Sequence, residues 1–131
     1  MRLFRRSVTP GANVYVTRES VAAGDDVDAP HAKEFQIAEP STLEQAVAAV
    51  LRSGYLPSIR GGLATWSLVS GRPLAVIAQQ WPAPRWLFLT DADRERVDRR
   101  GGVLHLHFNY HTQLDPEIVL EVLRELRVHS P

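Results

Sequence analysis

The sequence contains no cysteine and no long hydrophobic run. Without cysteine the chain can form neither a disulfide framework nor a thiolate zinc or iron–sulfur site, and it has no cysteine nucleophile. No apolar stretch approaches the ~20 residues that a helix needs to span a bilayer. The basic start, Met1 to Arg6, is not followed by the apolar core of a signal peptide. We therefore predict a cytoplasmic protein with no membrane contact.

Lysine is also scarce, and the charges that are present fall in blocks. Lys33 is the one lysine among fifteen basic residues, and the formal net charge is zero. Residues 1–18 hold four arginines and no acid, residues 19–45 hold seven acids against Lys33, and residues 46–90 hold four arginines and no acid. A neutral total argues against a dedicated nucleic-acid binder. The blocks indicate an acidic patch for a basic partner, or a smaller basic patch for an anion.

The 131 residues are enough for one domain with its own core. Short β-branched and aromatic runs predict strands at 14–17, 34–37, 64–68, 74–78, 86–89 and 103–110. A capping box at Ser41 and Glu44 predicts the start of one helix. Asp115 and Pro116 predict the start of a second helix. Its predicted buried stripe is Val119, Val122, Leu123 and Leu126.

These elements predict a single α+β domain over residues 1–131, in the order ββαββββα. Short connections favour a largely antiparallel sheet of about six strands, and one apolar stripe on each helix favours packing both helices on one face. Residues 1–12 are predicted to be a loosely ordered N-terminal segment. The opposite face of the sheet would then display Thr65, Ser67, His105, His107 and Asn109 to water or to a partner.

Two histidines on that face are candidate metal ligands. His105 and His107 fall at i and i+2, so they lie on one side of a strand at a spacing that lets two imidazoles share a metal ion. A third ligand would have to come from elsewhere, such as the aspartates of residues 25–28. The plain alternative is a pair of half-exposed polar residues on a solvated sheet face. A metal- or small-ligand-binding protein, with or without enzymatic activity, is therefore the second functional hypothesis.

The segment from Ala22 to Pro30 has the composition of a loop and carries Asp25, Asp26 and Asp28. It lacks the spacing of a calcium-binding EF-hand loop, because Pro30 and Ile37 fall where ligands are needed. We predict either a negatively charged element that contacts a basic protein surface or a solvated loop.

Arginine and tryptophan provide the third candidate site. Arg60, Arg72 and Arg85 accompany a Trp-containing segment that could bind an anion or single-stranded nucleic acid, although no RNP, KH or helix-turn-helix signature is present. Trp81 stands at a strand end, where an indole suits a partner anchor. Motifs of serine hydrolases, zinc proteases and kinases are also missing. The sequence therefore favours a binding protein over an enzyme and predicts no cofactor.

Small size, an α+β sheet with one polar face, charges in blocks and the lack of a catalytic motif form a familiar combination. In these features the whole chain resembles the small immunity proteins that bacteria encode beside secreted or contact-delivered toxins. The resemblance implies a tight one-to-one complex that blocks a toxin domain through complementary charge. Asp25, Asp26 and Asp28 would then supply the charge and Trp81 the anchor, with homodimer formation left open.

Overall fold

The computed structural model describes residues 12–38, 41–87 and 90–128. The strands are β1 (Ala12–Arg18), β2 (Lys33–Ile37), β3 (Thr65–Val69), β4 (Pro73–Ala78), β5 (Arg85–Trp86), β6 (Arg99–Arg100) and β7 (Val103–Tyr110). The helices are α1 (Leu43–Arg52) and α2 (Pro116–Val128), and short 3-10 helices occupy Ala23–Asp28 and Asp91–Glu95. We call Ala23–Asp28 the acidic turn. The predicted α+β class is confirmed, and no helix within the described ranges is long and apolar enough to cross a membrane.

The strands form one sheet in the order β2-β1-β7-β3-β4-β5, with β6 paired to β7. All pairs are antiparallel except β1 and β7, which run parallel, so the predicted largely antiparallel sheet is confirmed. The additional strand, β6, comes from a segment for which the sequence predicts no strand. Of the predicted strand at 86–89, Trp86 belongs to β5 and Leu87 is buried, whereas Phe88 and Leu89 lie outside the described residues. The predicted loose segment at 1–12 also lies outside them, except for Ala12, which begins β1.

The two helices pack on opposite faces of the sheet, which differs from the predicted arrangement. In α1, the buried residues Val47 and Val50 share one core cluster with Val16, Trp66 and Phe108. In α2, by contrast, the buried side chains join a second cluster, composed of Val76, Leu87, Val119 and Leu120. The physical reason lies in β4, which is apolar along its whole length and buried on both sides, so both of its faces need a cover.

The position of α2 changes which polar residues are exposed. Thr65 and Ser67, predicted to face water, are buried, because α2 and the loop before it lie over β3 and β4. Thr65 Oγ1 donates to the carbonyl oxygen of Leu114 at 2.6 Å, and Ser67 Oγ lies 2.8 Å from His111 Nε2. The open part of this face is therefore confined to β7, β1 and β2.

The buried stripe of α2 also differs from its prediction. Val119 and Leu120 are buried, whereas Val122 and Leu126 are 54% and 60% exposed. The helix is thus rotated relative to the arrangement predicted from apolar spacing alone, and it presents aliphatic side chains to solvent.

Candidate functional site

The parallel pairing of β1 with β7 places the segments that follow both strands at the same end of the sheet. The pairing continues beyond β1, where the Glu19 amide donates to the Phe108 carbonyl at 3.0 Å and Glu19 Oε1 accepts from the Tyr110 amide at 2.7 Å. The acidic turn follows β1, and Asp115 follows β7. Four exposed carboxylates therefore lie at this end of the sheet, which we call the acidic end: Glu19, Asp26, Asp28 and Asp115.

Asp25 does not belong to this exposed set, although the sequence places it beside Asp26 and Asp28. Its carboxylate accepts from Arg18 Nη1 at 2.8 Å and from the Val21 amide at 3.0 Å. It also lies 3.6 Å from His31 Nε2. The Arg18 hydrogen bond is the main cause that lowers the pKa of Asp25 to about 2. Asp25 thus fastens the acidic turn to β1.

The far side of the acidic turn is fastened as well. Tyr55 Oη donates to the His31 carbonyl at 2.6 Å, and the Arg18 amide donates to the Pro30 carbonyl at 2.9 Å. Burial raises the pKa of Tyr55 to about 12, so its hydroxyl stays protonated and can donate this hydrogen bond. Between these anchors, Val27 is 86% exposed. For Asp26 and Asp28 beside it, the described part of the chain provides no side-chain ion pair.

Acid is expected to destabilise the protein as Asp25 takes up a proton. Because its pKa is lowered from 3.8 to about 2, the folded state favours the carboxylate. The resulting stability is present above pH 3.8 and is lost as the pH falls toward 2. Asp25→Asn should therefore lower stability at pH 5 and flatten the pH dependence between 4 and 2, as measured by urea unfolding. Exposed Asp26 offers the matched control: an equal flattening in Asp26→Asn would contradict the anchoring role of Asp25.

The predicted histidine face contains a second candidate site. His105 and His107 of β7 stand beside Tyr15 and Thr17 of β1 because the strands pair in this register. The Tyr15 and His105 rings lie 5.0 Å apart between centroids, and Thr17 Oγ1 lies 2.6 Å from His107 Nδ1. These residues line a cavity of about 310 Å³ that we call the histidine pocket. Its other lining residues are Val69, Ser70, Gly71, Asp98, Arg100 and Leu106.

The metal hypothesis for His105 and His107 requires a third ligand. Within the ranges that the structure describes, no three or more histidine, aspartate or glutamate side chains are grouped so that they could hold a metal ion. The aspartates suggested from the sequence lie in the acidic turn, beyond the C-terminal end of β1. The histidine pocket instead reaches the β3–β4 turn, at the opposite end of the sheet. The structure therefore does not bring the predicted ligands together.

The three candidate arginines do not form one basic patch. Arg85 packs over the Trp81 ring, 4.1 Å from its centroid, and pairs with Glu117 at 2.8 Å. Arg72 lies 3.6 Å from Asp93. Arg60 is exposed in the loop before β3, whereas Arg72 lies in the turn after it. The charges of Arg72 and Arg85 are thus matched locally.

Trp81 is half-buried and lines an apolar groove of about 220 Å³ together with Trp66, Ile77 and Pro84. Its position under the Arg85 guanidinium gives the indole a structural contact within the chain. Trp81 follows β4, which runs in the same direction as β1 and β7, so Trp81 lies at the same end of the sheet as the acidic turn. Two strands, β7 and β3, lie between β1 and β4 in the sheet and separate the acidic turn from Trp81 at that end.

Comparisons with protein-family models, with curated proteins and with solved structures find no match to this chain.

Two surfaces carry the functional inference: the acidic end and the histidine pocket. Sequence reasoning missed Tyr15 and Thr17 as pocket residues. Their alternation with Val14 and Val16 was a usable signal for their sheet face, but the parallel partner of β1 has no signal in the local sequence.

Proposed function

We propose that the protein is a binding module that takes a basic protein partner at its acidic end, and that it acts as an inhibitor of the immunity type. The observation that carries the proposal is the parallel pairing of β1 with β7, because it places the exposed carboxylates of two distant segments at the same end of the sheet. Concentrated charge of one sign steers an oppositely charged partner and raises its association rate.

The acidic turn suits such a role because its shape is set before any partner arrives. Asp25 holds it from one side and the Tyr55 hydroxyl holds it from the other. A surface loop that is already ordered loses less conformational entropy on binding. Asp26 and Asp28 then present their charges on a fixed support.

Exposed aliphatic side chains accompany these charges. Val27 lies between Asp26 and Asp28, and Leu114 and Ile118 are exposed beside Asp115 at the start of α2. Exposed apolar groups rimmed by charge are typical of surfaces that bind other proteins. The expected partner surface is therefore apolar at its centre, with lysine or arginine around it.

The test is capture of the tagged protein's partner from its own host, followed by a binding titration with the purified partner. We expect one stoichiometric partner. Asp26→Asn/Asp28→Asn should weaken its binding at least about tenfold, and raising the salt concentration should do the same to the wild type. Asp25 is left unchanged so that the turn keeps its anchor.

The matched control is Asp91→Asn/Glu95→Gln, which removes two exposed acids from the other 3-10 helix. This control should bind like the wild type. Equal losses of binding in both double variants would show a general charge effect and contradict the acidic end as the site. Binding as tight as that of the wild type in both double variants would also contradict the acidic end as the site. The inhibitor role requires in addition that the captured protein be a toxin whose activity the complex abolishes. A partner with no such activity would overturn it.

A further inference from the structure

We propose that the histidine pocket binds the phosphate group of a small molecule. The pocket lies on the open part of the sheet, where β1 and β7 supply its floor and the β3–β4 turn and β6 supply its walls. It is separate from the acidic end, so this inference does not depend on the proposed partner.

Two histidines and their neighbours supply hydrogen-bond donors to the pocket. The 2.6 Å contact between Thr17 Oγ1 and His107 Nδ1 fixes the orientation of that ring, so Nε2 is the nitrogen that remains to meet a ligand. The neighbouring His105 ring is positioned by its contact with Tyr15, whose phenol adds a further potential donor. An imidazolium or imidazole N–H is a suitable donor to an anionic oxygen.

Among the described residues, Asp98 alone brings a carboxylate to the pocket, and this carboxylate is already neutralised. Asp98 Oδ1 accepts from Arg100 Nε at 3.1 Å, and Asp98 Oδ2 accepts from Arg100 Nη2 at 2.8 Å. The Asp98 backbone amide donates to Ser70 Oγ at 2.8 Å. This hydrogen bond holds the Asp98–Arg100 pair against the pocket wall. Arg100 retains its Nη1 for a ligand, so the groups that remain are predominantly donors.

The shape of the donor set favours phosphate over carboxylate. The edge of the Arg100 guanidinium formed by Nε and Nη2 is occupied by Asp98, and that edge is one of the two that bind a carboxylate through two parallel bonds. The remaining donors come from separate side chains, His105, His107 and Tyr15, which suits a tetrahedral group with several oxygens. A volume of about 310 Å³ is at the small end of ligand pockets, so it fits a phosphate and a small body attached to it.

The experiment is an NMR titration of the full chain with inorganic phosphate, sulfate and acetate, each at constant ionic strength. We expect saturable shifts with phosphate and sulfate that centre on Thr17, His105 and His107, and weaker or no shifts with acetate. Arg100→Gln should weaken phosphate binding at least about tenfold. The same substitution at Arg99, which is exposed on the same short strand but does not line the pocket, should leave binding unchanged.

The charges of Asp98 and Arg100 are fixed by their contact. The hydrogen bonds between Asp98 and Arg100 lower the pKa of the first and raise the pKa of the second, so this pair keeps its charges. His107→Gln should reduce sulfate binding, because it removes an imidazole that lines the pocket.

Three results would overturn the proposal. The first is a lack of saturable phosphate binding at millimolar concentration. The second is acetate binding as tight as phosphate binding, which would assign the pocket to carboxylates. The third is equal loss in the Arg99 and Arg100 variants, which would indicate attraction by net charge rather than a site. Circular dichroism of each variant establishes that it is folded.

Discussion

Phe108→Ala is expected to lower the free energy of unfolding by about 3–5 kcal/mol. The Phe108 side chain is fully buried and lies toward the C-terminal end of β7, between Arg18 of β1 and Leu68 of β3. Its ring centroid lies 6.1 Å from that of Tyr55. Truncation to alanine therefore removes a large apolar side chain from a site where strands on both sides limit how far the cavity can close.

The adjacent residue supplies the control. Asn109 alternates to the other face of β7 and is half-buried, so Asn109→Ala should cost about 1 kcal/mol or less. Urea unfolding of both variants gives the comparison. A loss below about 1 kcal/mol for Phe108→Ala would mean that this part of the core is not packed as described.

The same variant links the core to the acidic end. Tyr55 packs against Phe108 and donates to His31 beside the acidic turn. Loss of the Phe108 ring removes a support of that tyrosine. The acidic turn should then become more accessible to proteolysis than in Asn109→Ala.

Local pattern was sufficient to predict most of the elements. Alternation in Val103–Tyr110 predicted β7 at its observed bounds, and the apolar run through Ala78 predicted most of β4. The predicted capping box is shifted by one residue, because Thr42 rather than Ser41 is the N-cap and Gln45 is its partner. Each of these features depends on residues that are neighbours in sequence, where side-chain period and capping chemistry act directly.

The arrangement of the elements depends on distant contacts and could not be predicted in the same way. The pairing of β1 with β7 joins residues about 90 positions apart, such as Thr17 and His107, and no turn links the two strands. Without that pairing, neither the acidic end nor the neighbours of the histidines can be assembled from the sequence. From composition, Asp25 and Asp26 were likewise predicted to have the same role. Only the fold shows that Asp25 forms an ion pair with Arg18.

Leu120→Ala is expected to lower the free energy of unfolding by about 2–5 kcal/mol. This second large effect follows from the orientation of α2. Apolar spacing predicted Val122 in the buried stripe and did not include Leu120. In the structure Leu120 is almost completely buried against the second core cluster, whereas Val122 is largely exposed. The loop before α2 sets this rotation because Thr65 forms two hydrogen bonds with it. Thr65 Oγ1 donates to the Leu114 carbonyl, and the Thr65 amide donates to the Thr112 carbonyl at 2.9 Å.

The two substitutions therefore distinguish the two helix orientations. Val122→Ala should change the free energy of unfolding by about 0.5 kcal/mol or less, as expected for a surface position. A urea titration that finds Val122→Ala more damaging than Leu120→Ala would place the helix in the rotation that the apolar spacing predicts. The observed rotation gives the opposite order, because the cost of losing an aliphatic side chain depends on the cavity left behind, and a cavity can form only beneath the buried Leu120.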